Sequence, residues 1–209
     1  MKKSLDSYDF KATLLDFFAS DKEASKKLES VDWDTWFYKP GLPPKPKFDT
    51  SMVDKCYELA KNWESTVRFL PPYCRQHTDP RQDFTPSPKD ISGWTANQIV
   101  VFLESVQLFS TPLTPAQSQA MGKAYSLGTS RNVELSFRYF SIGLTAKDET
   151  VYHPTAELLG KVGRMKFVRP LYRKLEKVDR KLALETFEKN RDFYHPICRD
   201  MVEKDLKGE

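Results

Sequence analysis

The stretch TANQIVVFLESVQLF, Thr95 to Phe109, decides the fold class. Its apolar residues Ile99, Val100, Phe102, Leu103 and Val106 recur at the spacing of one helical face, not at the alternation of a strand. Just beyond it the pattern restarts: Thr114 caps a helix, Pro115 takes the first position, and Gly128 ends it after Leu127. Asn132 to Leu144 follows with Val133, Leu135, Phe137, Phe140 and Ile142. Pro154 opens a further helix that closes at Gly163. Phe167 to Val178, Arg180 to Asn190, and a last helix begun by His195-Pro196 and running through Leu206 complete the series.

Upstream, Thr50 to Arg68 keeps the same period through Val53, Tyr57, Leu59, Ala60, Trp63 and Val67. So does Ser7 to Ser20, with Phe10, Leu14, Phe17 and Phe18, followed by a short charged helix from Asp21 to Ser30. With only 8 glycines the chain lacks the turns of an all-β protein. The expectation is an all-α fold, an αα-superhelix of stacked antiparallel helix pairs, armadillo- or HEAT-like but irregular, since no repeat of fixed period occurs.

Three segments divide the chain. Residues 1–30 are rich in aromatics for their length and look built to pack against a neighbour. Residues 31–49 form a Pro-rich connector, extended where Pro40, Pro43, Pro44 and Pro46 forbid helix, with Trp33, Trp36, Phe37 and Tyr38 fastening it to a surface. Residues 50–209 are the main helical domain. Within it, Pro71 to Asp90 reads as a long surface loop holding Cys74 and His77.

Charge and cysteine usage narrow the function classes. The 33 basic and 29 acidic residues give a net charge of +4, with both signs interspersed. Nucleic acid is therefore not an expected partner, the basic run from Gly163 to Lys181 being the one feature in its favour. No apolar run approaches the roughly 18 residues of a membrane span. Cys56, Cys74 and Cys198 are odd in number and widely spaced, which suits a reducing compartment; with a polar start that lacks a signal peptide, the cytoplasm is expected.

The search for chemistry comes back nearly empty. His77, His153 and His195 have no histidine partner at metal-ligand spacing, so no zinc site and no other metal site is expected in this chain. Cys198 lies one helical turn from His195, but nothing nearby resembles an orienting group or oxyanion hole. Phosphate-binding loops and serine elbows are absent. No catalytic residue is assigned.

One constellation remains, Lys161-Val162-Gly163-Arg164-Met165-Lys166-Phe167-Val168-Arg169-Pro170. Gly163 ends one helix and supports the turn. Arg164 and Lys166 stand two apart, so in an extended turn their side chains project the same way, beside the positive end of the next helix. That arrangement suits a carboxylate or phosphate. Ordinary solvated cations between two helices would have the same spacing.

These residues carry a resemblance. Val31-Asp32-Trp33 through Trp36, with Pro40-Gly41-Leu42-Pro43-Pro44, resembles the connector into the C-terminal domain of leukotriene A-4 hydrolase and aminopeptidase B-type zinc aminopeptidases. Gly163-Arg164-Met165-Lys166-Phe167 with Arg169-Pro170-Leu171 resembles a second signature of that domain, and His195-Pro196 with Lys204-Asp205-Leu206 its C-terminus. The similarity runs in register from about Ser4 to Leu206.

The resemblance implies a parent zinc metallo-aminopeptidase that removes N-terminal residues from peptides and in some members hydrolyses an epoxide. Its zinc, with the His-Glu-x-x-His motif, would lie in a preceding thermolysin-like catalytic domain, of which residues 1–30 would be the last helices. This chain would be the non-catalytic C-terminal domain, with no cofactor of its own and with that catalytic domain and the peptide substrate's carboxylate as partners. Arg164 and Lys166 would bind the carboxylate. The competing expectation is a free-standing helical interaction module that uses Phe10, Phe17 and Phe18 to hold an unrelated protein.

Overall fold

Every regular element in the computed structural model is helical, and no strand occurs among the described residues, which are 4–42, 44, 47–67 and 84–208. They divide into two compact units, Met1–Asp49 and Thr50–Glu209.

In the first unit an aspartate starts each helix. Asp6 caps α1 (Ser7–Phe17), Asp21 caps α2 (Lys22–Glu29) and Asp32 caps α3 (Trp33–Phe37), each carboxylate accepting from orphan first-turn N–H groups. The residues of α3 stand at the start of the segment read as an extended connector, yet they turn helically. Asp32 brings this about: Oδ1 accepts from Thr35 N at 3.1 Å and Oδ2 from Thr35 Oγ1 at 2.5 Å. The aromatic residues then tie the helices together. Trp33 Nε1 donates to Leu28 O at 3.1 Å, Tyr8 stacks on Tyr38, and Phe10 meets Phe37 edge-on. Pro43 and Pro46 lie outside the described residues, as do Cys74 and His77.

The second unit contains α4 (Ser51–Val67), α5 (Ala96–Gln107), α6 (Pro115–Ala124), α7 (Val133–Thr145), α8 (Tyr152–Leu159), α9 (Met165–Val178), α10 (Arg180–Asn190) and α11 (Pro196–Lys207). Neighbours pack in series, α4 on α5, α5 on α7, α7 on α9, and α9 against α10 and α11. The result is the expected stack of helices around one continuous core. Trp63, Phe102, Leu103, Met121, Leu171, Tyr172 and Leu175 are almost wholly buried in it. Each such large side chain contributes roughly 1.5–3 kcal/mol on removal from water.

Two capping boxes extend beyond their own helices. Thr95 and Thr114 cap α5 and α6, and the glutamines three residues on return the bond to the cap backbone. Each glutamine then spends its amide N–H on α4: Gln98 donates to Met52 O at 2.8 Å, and Gln117 to Thr66 O at 2.9 Å. Both ends of α4 are thereby fixed. Between them Trp63 Nε1 donates to Tyr125 Oη, and Tyr125 Oη to Asp90 Oδ2 at 2.7 Å. Burial, with the Asp90 hydrogen bond, pushes the Tyr125 phenol well above its ordinary pKa. Asp90 closes a 3-10 turn over Pro88–Ile91, so the described end of the segment read as a surface loop is ordered helical structure.

The helix read as ending at Gly128 stops at Ala124 instead. Ser126 takes the left-handed conformation with φ 52°, and Leu127–Thr129 form a 3-10 turn with Leu127 buried. Gly122, inside α6, is the close-approach glycine here. A Cβ on it would lie 2.0 Å from Tyr139 Oη and 2.4 Å from Cζ, whereas one on Gly128 would meet only Tyr139 Cε1 at 3.6 Å.

Gly122→Ala is therefore expected to destabilise the chain by about 1–3 kcal/mol through overpacking, reduced by the roughly 1 kcal/mol that alanine adds to helix propensity. Gly128→Ala should be nearly neutral. Thermal unfolding followed by circular dichroism checks both, and equal melting temperatures for the two variants would contradict the packing described.

Candidate functional site

Arg164 and Lys166 flank the start of α9, where the helix breaks the usual electrostatic rule. A helix N-terminus carries partial positive charge and ordinarily recruits an acidic residue or a side-chain cap. Here the N-cap is Arg164, extended at φ −73° and ψ 118°, with no side-chain cap bond and no acidic residue in the first turn. Two cations and a helix dipole of the same sign meet on one exposed edge. Such a departure is expected where an anion from outside completes the balance.

The turn differs in detail from the reading of the sequence. α8 ends at Leu159 with Gly160 as its C-cap, so Gly163 stands in the connection and not at the helix end. A Cβ on Gly163 would meet Phe193 ring carbons at 3.8 and 3.9 Å, ordinary contact. Lys166 lies inside the first turn of α9, not in an extended turn with Arg164. Both cations nonetheless lie against the ring of Phe167. Arg164 Cζ lies 5.9 Å, and Lys166 Nζ 5.2 Å, from the centroid of its ring. Phe167 is buried and packs on Phe137 with centroids 5.3 Å apart. One rigid aromatic platform thus supports both charges.

Their surroundings are unequal. Arg164 is exposed and has no ion pair among the described residues. Lys166 Nζ donates to Glu134 Oε1 and Oε2 at 2.7 and 2.9 Å. Glu134 also accepts from Arg138 Nη1 at 2.6 Å, and Arg138 donates through Nε and Nη2 to Glu104 at 3.0 and 2.6 Å. The lysine, with the arginine behind it, holds the Glu134 carboxyl below its ordinary pKa. No local pattern in the sequence pointed to Glu134, Arg138 or Glu104, which come from α7 and α5.

Farther along, α9 is anchored to α11. Asp205, 8% exposed, accepts from Arg169 Nε and Nη2 at 2.5 and 3.0 Å and from Arg173 Nη2 at 2.7 Å. The Arg169 guanidinium first, and Arg173 after it, hold the Asp205 carboxyl at about 2. Pro170, inside the helix, has no N–H to give the Lys166 carbonyl. The first turn keeps its backbone bonds from Phe167 N and Val168 N to Arg164 O, at 2.9 and 3.2 Å, and lacks the one to Lys166 O.

Of the remaining candidates, His195, Cys198 and Cys56 have structural places. His195 caps α11, its Nδ1 accepting from Ile197 N at 3.3 Å, while Cys198 is buried and its thiol pushed up by burial. Cys56 is likewise buried with a raised pKa. His153 is exposed in α8. No group of three or more His, Cys, Asp or Glu able to hold a metal occurs among the described residues. None of the described helices is long and apolar enough to cross a membrane. An open groove of about 660 Å³ between α8 and α10, lined by His153, Glu157, Lys161, Glu185 and Lys189, includes neither Arg164 nor Lys166. The paired cations sit on an open edge.

Known proteins share this chain's sequence and fold. The family described as "Leukotriene A4 hydrolase, C-terminal" matches residues 94–206. A "Leukotriene A-4 hydrolase homolog" of Botryotinia fuckeliana is 75% identical over 206 residues, covering 99% of this chain and 29% of the relative. A "Leucine aminopeptidase 2" of Sclerotinia sclerotiorum is also 75% identical, covering 99% of this chain and 31% of its own length. The structure of native yeast LTA4 hydrolase superposes with a TM-score of 0.80 at 41% identity, over 98% of this chain and 33% of that one. The chain therefore spans under a third of the length of these two curated relatives.

The Asp205 anchor has a pH signature. Its folded pKa lies below the ordinary aspartate value near 3.9, so its contribution is complete above that value and disappears as the pH falls from about 4 to about 2. We expect Asp205→Asn to cost up to about 2 kcal/mol at neutral pH and to flatten stability between about pH 4 and pH 2. Denaturant unfolding across that range is the measurement; parallel curves for wild type and variant would contradict it.

Proposed function

The chain belongs to the leukotriene A4 hydrolase C-terminal family, and on that premise we propose that it forms one wall of the cleft of a zinc aminopeptidase. In this reading Arg164 and Lys166 bind the substrate's carboxylate, and Gly163 supports the turn that presents them. The observation that carries it is the uncapped, doubly cationic N-terminus of α9 on an open edge, with Arg164 free of any ion pair among the described residues. A guanidinium suits the carboxylate's two parallel oxygens, and a lysine beside it adds charge without directional demand. The printed name of one relative, leucine aminopeptidase, agrees with peptide as the substrate class, and that of the other, leukotriene A-4 hydrolase homolog, with the epoxide as a further one.

Zinc would be held elsewhere in the parent enzyme. The described residues do not fit it: His153 and His195 lie on separate helices, and His195 is occupied as a cap. No chemical step is assigned to this chain. Its part is to bind and orient. A fixed anchor at the carboxyl end sets the distance to the reacting bond, so peptides of one short length are held productively and longer ones are not. Residues 1–30 would belong to the catalytic domain, residues 31–49 would link the two, and the cytoplasm is the proposed location.

In the full-length enzyme, Arg164→Ala should cost about 2–4 kcal/mol in kcat/KM for tripeptides with a free carboxylate, the loss of a charge-assisted pair. Tripeptide amides should be affected far less. Steady-state kinetics with matched acid and amide substrates tests this, and an unchanged acid-to-amide ratio would refute it. The purified 209-residue chain should neither hydrolyse peptides nor retain zinc at one equivalent.

A further inference from the structure

Lys166 already has a carboxylate on it. Glu134 lies against its ammonium with both oxygens and is itself fastened by Arg138, whose guanidinium is 8% exposed and held from the other side by Glu104. Arg138 and Lys166 thus meet two carboxylates, Glu104 and Glu134, while Arg164, two residues before Lys166, has no ion pair among the described residues. Arg138 balances Glu104, and Lys166 balances Glu134. The net charge of the cluster is that of Arg164 alone.

We propose that Glu134 is a resident counter-ion that sets the strength and selectivity of the anion grip, occupying Lys166 in the empty site and competing with the incoming carboxylate for it. The inference rests on the reading of Arg164 and Lys166 given above. Two features of the geometry carry it. Glu134 is fixed, because the nearly buried Arg138 bonds both its carboxylate and its backbone carbonyl, at 2.6 and 2.8 Å. Lys166 is the adjustable partner, a point charge on a flexible stem with 44% of its side chain exposed. When a carboxylate arrives, the ammonium shifts or shares while Glu134 stays in place and repels the newcomer.

The effect falls on every carboxylate ligand, substrate and product alike, and spares neutral ones. A peptidase releases products that keep the substrate's carboxyl end. A grip with no counter-ion would hold such a product as firmly as the substrate and slow turnover. Glu134 keeps Arg164 as the net attraction and tempers the rest.

The test is Glu134→Gln in the full-length enzyme, with tripeptides and their C-terminal amides as paired substrates. KM for the acids is expected to fall roughly three- to ten-fold, from loss of one partly screened negative charge a few ångströms away, with KM for the amides unchanged. The gain should shrink at high ionic strength. Glu134→Asp, which keeps the charge but draws it back from Lys166, should shift KM in the same direction by less; it serves if the glutamine variant fails to fold. An unchanged KM, an equal change for acids and amides, or a rise for the acids would each overturn the counter-ion. Arg164→Ala separates the two levels. If it leaves acid–amide discrimination intact, the anion grip itself is wrong and the counter-ion falls with it. If it abolishes discrimination while Glu134→Gln does not lower KM, only the counter-ion is wrong.

Discussion

Arg138 is a full positive charge carried nearly out of water, and much of the site's geometry follows from the need to balance it. A guanidinium in that position is tolerable only when most of its donors are used and opposite charge is close by. Glu104 from α5 and Glu134 from its own helix α7 meet that demand, together with the Glu134 backbone carbonyl. Once Glu134 is held there, its second face is directed at α9, and Lys166 has a defined place to go. Three helices are joined by one chain of alternating charge. Arg164, two residues before Lys166, has no ion pair among the described residues.

The same helix is secured at a second point by Asp205 between Arg169 and Arg173. The two anchors lie on different partners, α7 on one side and α11 on the other. Between them α9 buries Phe167, Val168, Leu171, Tyr172 and Leu175. A helix fixed by packing along its length and by charge at two points leaves little freedom to the turn that presents Arg164. Precision at an open edge is obtained here from what stands behind it.

Much of the fold was legible in the sequence, because periodic burial is a local pattern. Ile99, Val100, Phe102, Leu103 and Val106 mark the α5 face whichever helix covers them. Boundaries were less legible. Gly128 and Gly163 look like helix ends, yet Ser126 takes the left-handed turn and Gly160 the C-cap. Spacing does not say which of several nearby residues bears the strain. The Thr-x-x-Gln boxes at Thr95 and Thr114 carried a signal that spacing of apolar residues alone passes over. At the site, Arg164 and Lys166 stand in a recognisable string, but their surroundings do not. Glu134 is 32 residues from Lys166 and Glu104 is 34 from Arg138, so only the packed fold reveals which cation is compensated.

The Asp205 anchor also bears on how the chain matures during synthesis. Arg169 and Arg173 leave the ribosome 36 and 32 residues before the aspartate that joins them. At about 5–20 residues per second, α9 waits seconds with its basic face unmatched. Its apolar face can settle on α7 meanwhile, but its register against α11 is set only when that helix arrives. A truncation just short of Asp205 would leave most of the hydrophobic core in place and still lack the clamp that sets α9, giving a domain that looks folded with its α9 turn unfixed.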